Sequence, residues 1–175
     1  MDDIAKNSRA SQSKVELAWL LKKVDKIEPK IIVEIGIHRG YSLEVWKKAW
    51  PDAKVIGIEN DLNSIDLEAT LNCQIIDANS HETDTQYKLT SLLNGKLIDF
   101  LFIDGDHMYE GVKRDYTMYV PLVRPGGIIA FHDTGIKDNP GVEVYKFWDE
   151  LSEQIGNFST KHAEGGTGTG VLYIL

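Results

Sequence analysis

The chain predicts an α/β fold, a largely parallel sheet covered by helices on both faces. Three observations lead there. Short runs rich in β-branched residues alternate with helical stretches from residue 31 to residue 132, the pattern of strands joined by crossover helices. The first of these runs, IIVEIGIHRGYS at residues 31–42, passes directly from apolar residues into two spaced glycines. Strand, glycine loop and helix in succession form the ligand-cradling unit of open sheets. Finally, the successive runs end on polar residues: Glu34, Glu59, Asp77, Asp104 and the pair His132-Asp133. Ligands of such sheets bind outside the carboxyl ends of the strands, so these ends are the expected site.

The 175 residues suit one domain, with 42% hydrophobic and 26% charged residues. A formal charge of −8 argues against a broad basic surface and against bulk nucleic acid as a partner. A single cysteine, Cys73, excludes an intramolecular disulfide and fits a reducing compartment. No apolar run approaches membrane-spanning length, and the first residues are polar and acidic rather than signal-like. The expectation is a cytoplasmic protein with no membrane partner.

In order, residues 1–13 offer little to bury and are expected to be a flexible arm, frayed or ordering over a ligand. Leu17, Leu20, Leu21 and Val24 recur at helical spacing over residues 14–24. The β-branched run at residues 31–33 suits a strand buried on both faces. A helix follows over residues 42–49, with Trp46 and Trp50 expected to pack on the sheet. Residues 54–59 form a second strand, and residues 61–71 a weakly patterned helix. Residues 74–77 are a third strand and residues 81–93 a helix. The fourth strand spans residues 97–104 and is followed by a helix over residues 108–123. Arg124-Pro125-Gly126-Gly127 reads as a turn before a fifth strand at residues 128–132. A helix over residues 141–153 and two closing strands, residues 158–162 and 171–175, joined by a glycine-rich loop, complete the chain.

The segment EIGIHRGYS lacks the dinucleotide spacing, because His38 stands where a second glycine would. Glu34 ahead of the loop suits an ammonium-bearing ligand better than a phosphate. Glu59 lies at the distance from Gly40 at which an acid can hold two ribose hydroxyls, although a helix-capping role competes. Asp77 could meet an amino group of adenine or start a helix. Asp104-Gly105-Asp106-His107 and His132-Asp133-Thr134 would lie side by side if the fourth and fifth strands are neighbours. Carboxylates and imidazole converging there would make a divalent-cation site. His38, His81 and His162 have no partner visible in sequence and read as loop or surface residues; the tryptophans read as core.

Residues 31–42 resemble the first motif of the small S-adenosylmethionine-dependent O-methyltransferases, the catechol and caffeoyl-CoA types among them. The run IDGDHMYEGVKRDYTMYVPLVRPGGIIAFHDT resembles still more the group holding the antibiotic-sugar O-methyltransferases and cephalosporin-hydroxylase-like proteins. The resemblance covers residues 31–134 and implies a Rossmann-like three-layer α/β/α fold, with a seven-stranded, mostly parallel sheet whose last strand is antiparallel. It implies S-adenosylmethionine as cofactor, with Glu34, Gly36, Gly40 and Ser42 around its methionine part, Glu59 on the ribose, Asp77 and Ala78 beside adenine, and Asp104 among the cofactor-binding residues. It implies a divalent metal, magnesium in relatives, on Asp104, His132 and Asp133. Relatives carry an acid where His132 stands, so either another metal is used or His132 stands behind the ligands. The base is a lysine at the position of His107 in catechol-type enzymes and the acid at Asp106 in sugar-modifying ones, and both stay open. The expected activity is divalent-assisted O-methylation of a small hydroxylated molecule such as a sugar. A metal-independent enzyme or a non-catalytic cofactor-binding domain are the alternatives, and a homodimer is left open.

Overall fold

The computed structural model describes residues 1–156 and 166–175 in full and residues 159–162 by their backbone. The strands are β1 (Ile31–Ile35), β2 (Lys54–Glu59), β3 (Gln74–Asp77), β4 (Ile98–Ile103), β5 (Val123–Phe131), β6 (Ser159–His162) and β7 (Thr169–Tyr173). The helices are α1 (Asp2–Lys6), α2 (Lys14–Val24), α3 (Tyr41–Ala49), α4 (Thr83–Leu93), α5 (Tyr109–Tyr119) and α6 (Val144–Ile155). The strands form one mixed sheet in the order β3-β2-β1-β4-β5-β7-β6. Neighbours from β3 to β5 are parallel, and β7 runs antiparallel to both β5 and β6.

Each face of the sheet carries its own core, set by the alternation of side chains along every strand. On β1, Ile31, Val33 and Ile35 pack toward Leu89, Val112, Tyr119 and Phe147 of α4, α5 and α6. Ile32 packs the other way, toward Leu17, Leu21 and Trp46 of α2 and α3. Trp46 meets Phe100 and Phe102 edge-on, at centroid distances of 5.4 and 5.6 Å, and stacks on Trp50. Trp148 lies against Phe131 on the opposite face. These three tryptophans are core, each fully buried ring contributing about 2–3 kcal/mol.

Several expectations are corrected. Residues 61–71 are not a helix: only Leu62–Ser64 form a 3-10 turn, and Leu67 and Leu71 are exposed. Asp61 accepts the Asn63 amide and Asp66 those of Glu68 and Ala69, local bonds that compete with a helix. The turn at residues 124–127 lies within β5, as an excursion between Val123, paired with Ile98, and Ile128, paired with Phe100. The helix expected to residue 123 stops at Tyr119, and a 3-10 turn containing Pro121 follows. The arm at residues 1–13 is packed: it forms α1, and Ala5, Ala10 and Gln12 are buried. Phe158 and residues 163–165, assigned above to the closing hairpin, lie outside the described residues.

Candidate active site

The chain turns back across the sheet between β1 and β4, the topological switch point at which open sheets form a crevice. A cleft opens there in two compartments of about 440 and 430 Å³. Gly36, His38, Asp104 and His107 line both and form the partition. The first compartment is also walled by Glu59, Ala78, His81 and Asp106, and the second by Gln12, Glu34, Ser42 and Asp133.

Gly36 lets the partition exist. Its φ is +80°, and a Cβ there would lie 2.3 Å from the backbone oxygen of Asp104. The ends of β1 and β4 therefore touch through backbone alone. Gly40, also at φ +80°, caps α3 beside Thr70 and lines neither compartment, so its role here is the turn.

The glycine-loop acids are bonded to the protein. Glu34 faces the α3 side of the sheet, almost fully buried, and accepts from the Ser42 hydroxyl and from Trp46 Nε1 at 2.5 Å. Burial pushes its pKa up to about 8, against the lowering effect of those two donors. Glu59 Oε2 accepts the amides of Ile37 and His38 at 3.1 and 2.8 Å, and Oε1 those of Asn60 and Asp61 at 2.8 and 3.0 Å. One carboxylate thus holds the glycine loop to the end of β2. Asp77 is exposed and lines neither compartment, whereas its neighbour Ala78 lines the first.

The other end gathers ionisable groups. Asp104, at the end of β4, has Oδ1 3.1 Å from His132 Nδ1 and 3.6 Å from His107 Nε2. Asp133 reaches the same two imidazoles at 3.1 and 3.7 Å. Burial pulls the His132 pKa down, but the two carboxylates outweigh it and hold it up at about 9. Burial works to raise the Asp104 pKa, and the flanking imidazoles bring it below the ordinary carboxylate value. The Asp104 carboxylate beside it holds His107 above its ordinary value. Asp133 sits at φ +59°, a conformation rare for a side-chain-bearing residue and concentrated at functional sites.

Among the described residues, Asp104, His107 and Asp133 offer one donor atom each within 4.8 Å of one another, a spacing that fits a single cation. His132 stands outside that group. Its Nδ1 faces both acids, and its Nε2 lies 3.0 Å from Thr167 Oγ1. The mixed oxygen and nitrogen set suits a borderline divalent ion better than magnesium. Asp106 is turned away from it: Oδ1 accepts the Met108 amide at the start of α5, and the side chain covers Gly111.

Sequence reasoning missed three contributors. Gln12 donates to Asp104 Oδ2 at 2.9 Å across 92 positions of chain. Thr167 backs His132, and Glu16, fully buried on α2, accepts the Gly168 amide at 2.7 Å and so fixes the loop carrying Thr167. The arm that bears Gln12 is strapped down by Arg9, which bonds Glu44 and Asp66 and lies 4.5 Å over the Tyr41 ring. No spacing rule joins these residues to the motifs; the only hint was that a polar arm precedes the first strand.

Residues 33–134 match a family described as a methyltransferase domain. The tapetum-specific methyltransferase 1 of Arabidopsis thaliana is 33% identical over 132 residues, covering 68% of this chain and 53% of that protein. The chain spans about half or less of the length of the curated relatives it matches. An O-methyltransferase from Bacillus cereus, in complex with SAH, superposes with a TM-score of 0.71 at 18% identity, covering 99% of this chain and 87% of that one. The MycE methyltransferase of mycinamycin biosynthesis, in complex with Mg, SAH and mycinamycin VI, superposes with a TM-score of 0.59 at 18% identity, covering 82% and 44%.

Proposed function

The chain belongs to the methyltransferase domain family, and from that membership we propose that it transfers a methyl group from S-adenosylmethionine to a hydroxyl of a small molecule, with a divalent ion in the second compartment. The observation that carries this reading is the two-compartment cleft, whose shared wall, Gly36 and Asp104, adjoins an Asp–His–Asp group. S-adenosylmethionine, when bound, supplies an electrophilic methyl on sulfonium, and a divalent ion lowers the pKa of a hydroxyl beside it.

The chain's own residues do the rest. Glu59 holds the 37–38 loop through its backbone amides and lines the first compartment, where the ribose would lie. Glu34 and Ser42 brace the floor of the second. Asp104, His107 and Asp133 would hold the cation, and His132, whose Nδ1 lies 3.1 Å from an oxygen of each acid, orients them. The acceptor in this reading is a small hydroxylated molecule such as a sugar; MycE, which shares the fold, is recorded with mycinamycin VI.

A second reading is favoured by one observation: the His132 imidazolium already lies between the two carboxylates and offsets their charge. His107 Nε2 would then be free to accept the hydroxyl proton as general base, with no metal. One atom cannot do both. Calorimetry with S-adenosylhomocysteine and with manganese, on the wild type and His107→Gln, separates them. The metal reading expects manganese binding that His107→Gln weakens at least tenfold, with S-adenosylhomocysteine affinity unchanged. Absence of manganese binding, with turnover kept in excess chelator, would move the assignment to the second reading.

A further inference from the structure

Behind the first compartment lies a carboxylate that the proposed reaction does not use. Asp115, on α5, is fully buried, and neither of its oxygens accepts a hydrogen bond of ordinary geometry. An unpaired buried charge is among the most costly features a fold can keep. Its polar neighbours are Ser80 and His81, whose attraction opposes the burial that raises its pKa. His81 Nε2 lies 3.4 Å from Asp115 Oδ1 and is itself buried without a hydrogen bond. His81 also lines the first compartment, and its side chain is one-fifth exposed. The exposed part belongs to another edge of the ring, since Nε2 is covered.

The loop does not need Asp115 to hold it. Tyr119 donates to the Ser80 carbonyl at 2.7 Å, and Arg114 donates to the His81 carbonyl at 2.6 Å. α5 therefore fixes the backbone of this loop through two carbonyls already. What the carboxylate adds is directed at the imidazole. A neutral histidine carries its proton on one ring nitrogen and a lone pair on the other, and a carboxylate beside Nε2 selects the Nε2–H form. Nδ1 is then an acceptor.

We infer that Asp115 is a positioning residue that fixes His81 with Nε2–H turned inward, so that Nδ1 accepts a hydrogen bond from an amino group on the base of a nucleoside ligand in the first compartment. The inference rests on the cofactor reading proposed for that compartment. With the ribose toward Glu59, the base lies against the 78–81 loop, and the 6-amino group of adenine is the donor such an acceptor recognises. A base lacking that group leaves Nδ1 without a partner, and discrimination by a buried acceptor follows from that loss.

The test compares S-adenosylhomocysteine with its analogue carrying hydrogen in place of the 6-amino group, by calorimetry on the full chain. The wild type is expected to prefer the amino form by about tenfold, the worth of one hydrogen bond. His81→Ala and Asp115→Asn should each shrink the preference to under about threefold, and the double variant should match His81→Ala alone. Nitrogen-15 spectra of the wild type should show His81 in the Nε2–H form, a readout that does not need the Asp115 variant to fold. Binding of both ligands with equal affinity by the wild type overturns the inference while leaving the cofactor reading intact. So does an Nδ1–H form, or an Asp115→Asn protein that weakens both ligands equally and keeps the preference. If the wild type binds neither ligand, the cofactor reading falls and the inference with it.

Discussion

The two ends of the cleft use carboxylates in opposite ways. At the glycine-loop end, Glu34 and Glu59 accept from an indole, a hydroxyl and four backbone amides, donors whose protonation does not change. At the other end, Asp104 and Asp133 face His107 and His132, whose charge can change or give way to a cation. The first end is a preorganised frame; the second is where charge can be exchanged during a reaction. Substitutions at the frame should therefore act mainly on folding, and those at the other end mainly on ligands.

The largest effect is expected at the partition between the ends. Gly36→Ala would push a Cβ into the Asp104 backbone oxygen, 2.3 Å away, at a φ of +80°. Neither backbone can yield without parting β1 from β4, so the loss should be about 3 kcal/mol or more. Gly40→Ala carries the same φ strain, but its one close contact, at 2.4 Å, is the Thr70 methyl group, a side chain that can turn, so it should cost less. Thermal melts of the two variants check this; equal melting temperatures would mean that the strand ends are not in contact.

Next in size is a pH effect from Glu34. Its folded pKa, about 8, lies above the ordinary 4.5 because burial disfavours the charged form. A raised acid pKa means that the folded state binds more protons than the unfolded one between these values. Stability from this group is therefore complete below about pH 4.5 and is lost as pH rises through about 8. Each tenfold difference in proton affinity between the folded and unfolded chain is worth about 1.4 kcal/mol. Denaturant unfolding from pH 5 to pH 9 should show the decline in the wild type and a flatter profile in Glu34→Gln. An identical slope in both would remove Glu34 as its source.

Glu59→Ala should be milder for folding, about 1–3 kcal/mol, because its amide partners can turn to water. It should still lower S-adenosylhomocysteine affinity about tenfold or more by loosening the 37–38 loop. Unchanged affinity in the folded variant would take Glu59 out of the site. The smallest effect on folding is expected at the exchangeable end. Asp104→Asn should leave the melting temperature within a few degrees yet abolish any rise produced by manganese. A manganese-induced rise that survives in Asp104→Asn would break the distinction between the two ends.

By itself the sequence determined what depends on local periodicity. The alternation of apolar runs and helical faces named the α/β class, residues 54–59 and 74–77 as strands, and residues 14–24 as a helix. The polar residues closing each run pointed to one edge of the sheet, because parallel strands bring all their carboxyl ends to the same side. Local pattern failed where side chains bond their own backbone, as Asp61 and Asp66 do in the segment read as a helix. It failed again where a partner lies far along the chain. That two imidazoles reach both acids was decided by the tertiary structure: the loop after β4 sets His107 Nε2 3.6 and 3.7 Å from Asp104 and Asp133, and the end of β5 sets His132 Nδ1 3.1 Å from each, with Thr167 on its Nε2. Gln12 on Asp104 and Asp115 behind His81 are likewise products of packing, since the register of strands and the seating of helices set those distances and neither is written in any window of neighbouring residues.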